Sequence, residues 1–112
     1  MLMAMAALLA ACGSSGGEAA SAAPEPVTYK YIIPNGTGER IEAGEPVQIV
    51  PARLDINVGD SIEIVNNDSQ GHNVGPFFVG EGETVSQTFP SPAEYIDACT
   101  VHPSGQFMIV VT

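Results

Sequence analysis

The chain carries two histidines and two cysteines, and three of these four side chains form a pattern that can bind a metal. His102 stands three residues after Cys99, and His72 lies 27 residues before that cysteine. A thiolate with two imidazoles is a borderline-soft donor set. Thiolate binds Cu(I) and imidazole binds both copper oxidation states, so the set suits copper. Zinc accepts the same donors and remains the alternative. A Cys-x-x-His spacing is a weak signal alone, because an isolated cysteine is more often a small buried core residue. No Ser-His-Asp arrangement, phosphate-binding glycine loop or dinucleotide fingerprint competes with it.

Such side chains act together only if the elements carrying them end at one place. The 112 residues suffice for one domain, and 45% apolar residues suffice for one core. Twelve glycines and nine prolines favour many turns and short strands. Strands are predicted at 27–33, 47–50, 53–58, 61–65, 72–79, 84–89, 94–99 and 106–112. Arg53-Leu54-Asp55-Ile56-Asn57-Val58 alternates polar and apolar, as a half-buried strand does. Gly59-Asp60 makes the next turn, and Asn66-Asn67-Asp68 ends the following strand. No segment sustains a 3.6-residue period. The fold class is therefore all-β, a Greek-key sandwich or barrel of seven to eight strands. In a sandwich the C-terminal strands and an earlier strand end at the same pole, where His72, Cys99 and His102 can converge.

The N-terminus reads as an address. Residues 1–11, MLMAMAALLAA, are wholly apolar but fall short of the roughly 20 residues that span a bilayer. They fit the apolar region of a secretory signal. Leu9-Ala10-Ala11-Cys12 resembles a bacterial lipobox, in which the cysteine is lipidated, although no Lys or Arg precedes the apolar run. Residues 12–26 then comprise the lipidated Cys12 and a Gly, Ser, Ala and Pro tether that cannot bury a core. A Cys12–Cys99 disulfide would require the leader to be retained. The expected location is extracytoplasmic, anchored to a membrane through lipid on Cys12.

Residues 27–112 resemble the cupredoxins, the blue-copper proteins. Leu54-Asp55-Ile56-Asn57-Val58-Gly59-Asp60-Ser61-Ile62-Glu63-Ile64-Val65-Asn66-Asn67-Asp68 is similar to their paired central strands, with the Gly-Asp turn and the Asn-x-Asp exit. Gly71-His72-Asn73-Val74 is similar to the segment supplying their first histidine. Tyr95-Ile96-Asp97-Ala98-Cys99-Thr100-Val101-His102-Pro103 is similar to the strand and loop supplying the cysteine and second histidine. The resemblance implies one mononuclear type 1 copper ion, with His72, Cys99 and His102 as equatorial ligands. It implies that Asn73 ties the ligand loop to the cysteine segment, and that Tyr95 serves packing. Asp97 departs from the aromatic residue often found there.

The axial position departs further. Short-loop members follow Cys-x-x-His-Pro-x-Met, and this pattern laid without gaps from Cys99 puts Gly105 where the methionine belongs. Met108, six residues after His102, falls inside the last strand, on the face opposite Phe107, Ile109 and Val111. Met108, Gln106, the Gly71 carbonyl or no group at all are the axial options. Without a thioether the reduction potential should rise, because a donor that stabilises Cu(II) is gone.

The function implied is one-electron transfer outside the cytoplasm, by a monomer. His102 would be the electron port, ringed by Val74, Pro76, Phe77 and Pro103, while Phe78 is expected in core or turn. The formal net charge is −10, and Lys30, Arg40 and Arg53 are the only basic residues apart from the histidines. Such a surface repels nucleic acid and anionic lipid headgroups but suits a redox protein partner with a basic docking face. Copper capture or delivery, and a metal-free structural domain, are the alternatives. An enzyme is not expected: oxidases and reductases of this family need further histidine clusters, and a binuclear site needs a second cysteine in the loop.

Overall fold

The structure, a computed structural model, describes residues 25–112. The leader expected over 1–11, Cys12 with its expected lipid, and the tether up to residue 24 lie outside the described residues.

Eight strands and one short helix make up the domain: β1 (Thr28–Ile33), α1 (Thr37–Glu42), β2 (Arg53–Ile56), β3 (Ser61–Asn66), β4 (His72–Val74), β5 (Phe77–Val79), β6 (Thr84–Thr88), β7 (Ala93–Ala98) and β8 (Gln106–Val111). One sheet has the order β1-β3-β6 and the other β2-β8-β7. A β4-β5 ribbon joins the second sheet where Val74 bridges Cys99 just beyond β7. Strands β1 and β3 run parallel, as do β2 and β8; the other pairs are antiparallel. Parallel neighbours cannot be joined by a tight hairpin, so the chain crosses between sheets and closes a sandwich.

Period-two patterning sets the core. Ile62 and Ile64 of β3 point inward, as do Leu54 and Ile56 of β2 and Phe107, Ile109 and Val111 of β8. Ile33, Val50, Val74, Val79, Phe89, Cys99 and Val101 complete the same apolar cluster. Each such Val, Ile or Phe contributes roughly 1.5–3 kcal/mol by leaving water. Asp60 secures the turn between β2 and β3. Its carboxylate accepts the Asn57 N–H at 2.9 Å and, from the chain leading into the neighbouring strand β1, the Val27 N–H at 2.9 Å.

Three expectations change. Residues 47–50 form no strand: Pro46 and Pro51 deny the ladder two donors, and the segment is held by burial of Val47 and Val50 and by the Ile49 N–H bond to the Val101 carbonyl at 2.8 Å. The strand expected at 72–79 splits into the β4-β5 ribbon at Gly75-Pro76. Gly75 has φ +59°, and a Cβ there would meet the Phe107 ring at 3.1 Å, so only glycine lets the chain turn so close to the core. Phe78, expected in core or turn, points outward from β5 and is 64% exposed. Helix α1 has no counterpart in the sequence reading. Six residues are too few to display a period, and its cap comes from elsewhere: the Asp68 carboxylate accepts the Gly36 N–H at 3.0 Å and the Gly38 N–H at 2.8 Å.

Candidate metal centre

His72 opens β4 and is buried. Its Nε2 lies 2.8 Å from Asp68 Oδ2, and its Nδ1 lies 3.0 Å from Thr100 Oγ1. Burial pushes the Asp68 carboxyl upward, but hydrogen bonds from His72 and from the Gly38, Gly36 and Ser69 amides outweigh it and hold the group down at about 2. Asp68 is therefore an anion that can only accept, so Nε2 of His72 carries a proton, and in the neutral form of the ring the lone pair is on Nδ1. That is the tautomer a metal-binding histidine acquires when a carboxylate holds its far nitrogen.

The loop holding Asp68 is itself pinned. The fully buried Asn66 amide donates to the carbonyls of Gln70 (2.8 Å), Val79 (3.1 Å) and Gly80 (3.1 Å), and its Oδ1 accepts the Asp68 N–H at 2.9 Å. The Asn-x-Asp exit thus fixes the approach to His72.

Cys99 follows β7 and is buried within the core cluster. Its N–H donates to the Gly105 carbonyl at 2.8 Å, while the Thr100 N–H donates to the Asn73 carbonyl at 2.9 Å. The expected tie between Asn73 and the cysteine segment therefore runs through the Asn73 backbone. Burial pushes the Cys99 thiol up, opposed by the Val101 and Gly75 amides. A thiol in so dry a place becomes a thiolate readily only when a cation arrives to compensate it. Tyr95 serves packing, its ring 5.8 Å from that of Phe89.

His102 is half-buried and lines a cavity of about 340 Å³ with Ile41, Pro46, Val47, Thr100 and Pro103. Its surroundings differ from the expected patch: Val74 is fully buried, and α1 and the 46–47 segment supply the apolar neighbours instead. Its Nδ1 accepts the Ser104 N–H at 3.0 Å and lies 2.8 Å from Ser104 Oγ.

His72, Cys99 and His102 thus belong to one pole: Thr100, next to Cys99, holds the His72 ring, and the Thr100 and His102 side chains line one cavity. Their donor chemistry fits a copper ion. Among the described residues, however, no three His, Cys, Asp or Glu side chains are gathered closely enough to hold an ion as they stand. Gly105, at φ +78°, closes the loop through its N–H to the His102 carbonyl at 2.9 Å and offers no side chain. Met108 pairs with Arg53 and Ile96 on the face of β8 turned away from Phe107 and Ile109. In the sequence Asp68 reads only as a strand exit, and Thr100 and Ser104 carry no assigned role. An Asp-x-x-x-His spacing acquires meaning only once the loop between them is known.

No protein-family model matches the chain, and no curated protein does. Several solved structures are similar to it. A purple cupredoxin from Nitrosopumilus maritimus shares 25% identity at a TM-score of 0.49, over 75% of this chain and 99% of that one. A Cu(I) variant of amicyanin shares 20% identity at a TM-score of 0.48, over 76% of this chain and 82% of that one. A reduced Cu(I) amicyanin variant at pH 4 shares 19% at a TM-score of 0.45, over 81% and 86%. By its own strand order and register, the fold is a cupredoxin-like β-sandwich.

Proposed function

We propose that this chain is a type 1 copper electron carrier, holding one ion through His72, Cys99 and His102. One observation carries the reading: a buried carboxylate fixes the His72 lone pair on Nδ1, beside the residue that follows a buried free cysteine. When bound, copper would supply a one-electron Cu(II)/Cu(I) couple. The chain's own residues would do the rest. Asp68 keeps the His72 proton on Nε2. Burial keeps water from Cys99. The half-buried His102 ring, which lines the cavity, would pass the electron to a docked partner. A rigid sandwich around the site would keep ligand movement between oxidation states small.

Localisation belongs to the same proposal. The apolar run at 1–11 and Cys12 support a lipid-anchored protein outside the cytoplasm, working with a redox partner whose docking face is basic. Copper capture and delivery is the second reading, favoured by the engagement of His102 with Ser104 rather than with the other ligands. Redox titration of the protein loaded with one equivalent of copper separates the two. The carrier reading expects a reversible one-electron couple over repeated cycles. Loss of copper on reduction would refute it and favour capture.

A further inference from the structure

His102 offers its one lone pair to its own loop. The Ser104 N–H can only donate, so Nδ1 must accept, and the proton of the neutral ring sits on Nε2. The Ser104 hydroxyl strengthens this arrangement. It accepts the Gln106 N–H at 3.2 Å, and its proton points to His102 Nδ1 at 2.8 Å rather than to the more distant Gln106 carbonyl at 3.3 Å. The chain Gln106 N–H, Ser104 O–H, His102 Nδ1 is continuous and closed by the Gly105 N–H bond to the His102 carbonyl.

A metal ion needs the same lone pair. Protonated Nε2 has none to give, and Nδ1 is already engaged by two donors. His72 is held differently. There the lone pair meets a single hydroxyl, Thr100 Oγ1, which has the Asn73 carbonyl at 3.4 Å as another acceptor for its proton. His102 faces a backbone N–H as well, which cannot rotate away.

We propose that Ser104 is a latch that competes with a metal ion for His102 Nδ1, so that loading of the site requires His102 to leave Ser104. The competition rests on the copper reading above; the latch in the metal-free protein does not. Ser104 acts through His102 and is a positioning residue. Its side chain is exposed, so its replacement should leave the fold intact.

The test combines imidazole ¹⁵N NMR of the metal-free full chain, at a pH where the ring is neutral, with stopped-flow Cu(II) uptake. The wild type should show His102 as the Nε2–H tautomer with a hydrogen-bonded Nδ1. In Ser104→Ala the Nδ1 resonance should move toward that of a free acceptor, and uptake should quicken about threefold to tenfold, as expected for losing one neutral hydrogen bond. Ser104→Thr, which keeps the hydroxyl, should restore both values. An Nδ1 resonance unmoved in Ser104→Ala, or a moved resonance with unchanged uptake, would overturn the latch. A chain that binds no copper in any form would overturn the copper reading and the competition with it. The NMR shift distinguishes that failure from failure of the latch.

Discussion

The Asp68 carboxylate accepts hydrogen bonds from the His72 ring and from the Gly36 and Gly38 amides in a nearly dry setting. It both orients the His72 ring and caps a helix. Asp68→Asn keeps the shape but removes the charge, so part of each bond is lost. It should lower stability by about 1–3 kcal/mol and weaken copper binding by roughly 10–100-fold, measured by urea unfolding and by competition with a copper chelator. The acid response follows from the same group. Its folded value of about 2 lies below the ordinary 3.8, so the unfolded chain binds the proton more readily. The contribution is complete above about pH 4 and is lost as pH falls through about 2, a difference of about 2 kcal/mol. Thermal melts of the metal-free protein across that range should show the loss, and Asp68→Asn should flatten it. At this scale the sequence displays the candidate donors but not the groups that hold them. Cys99 and His102 share a loop, whereas the link from Asp68 to α1 spans 30 residues and needs the fold to exist.

Among the elements, legibility follows burial on one face. Strands β2, β3 and β8 alternate because one side of each faces the core, and their positions can be read from the chain. The 47–50 segment is apolar enough to look like a strand, yet flanking prolines leave it to be held by two buried valines. The split of 72–79 depends on how closely Gly75 approaches Phe107. Helix α1 depends on a cap supplied by a distant loop. Asp60 is the opposite case, a turn residue visible in the sequence with an unforeseen second bond to Val27. Asp60→Ala would orphan two N–H groups at the start of β1 and the end of β2. It should cost about 1–3 kcal/mol, seen as a lower urea midpoint with an unchanged slope. Copper binding should persist, because the turn is remote from Thr100 and His72 in the contacts it makes.

For the whole molecule, the charge of −10 dominates long-range behaviour. Two of the three Lys and Arg side chains are engaged by acidic neighbours, Arg40 by Glu45 at 3.5 Å and Arg53 by Asp55 at 2.9 Å. Glu45 also lines the cavity beside His102. Electron transfer to a basic redox protein should therefore slow as salt rises, because screening shortens the reach of attraction to about 8 Å at physiological ionic strength. Stopped-flow rates with a basic cytochrome, compared between low and high salt, would check this; a rate independent of salt would remove steering from the account. If Cys99 and the two histidines form one type 1 copper site on this sandwich, the visible and EPR spectra of the protein with one equivalent of Cu(II) will show it. An intense thiolate-to-copper charge-transfer band with narrow copper hyperfine splitting is expected, and both should be lost in Cys99→Ala. A colourless protein at full metal occupancy, or a band that survives Cys99→Ala, would contradict it.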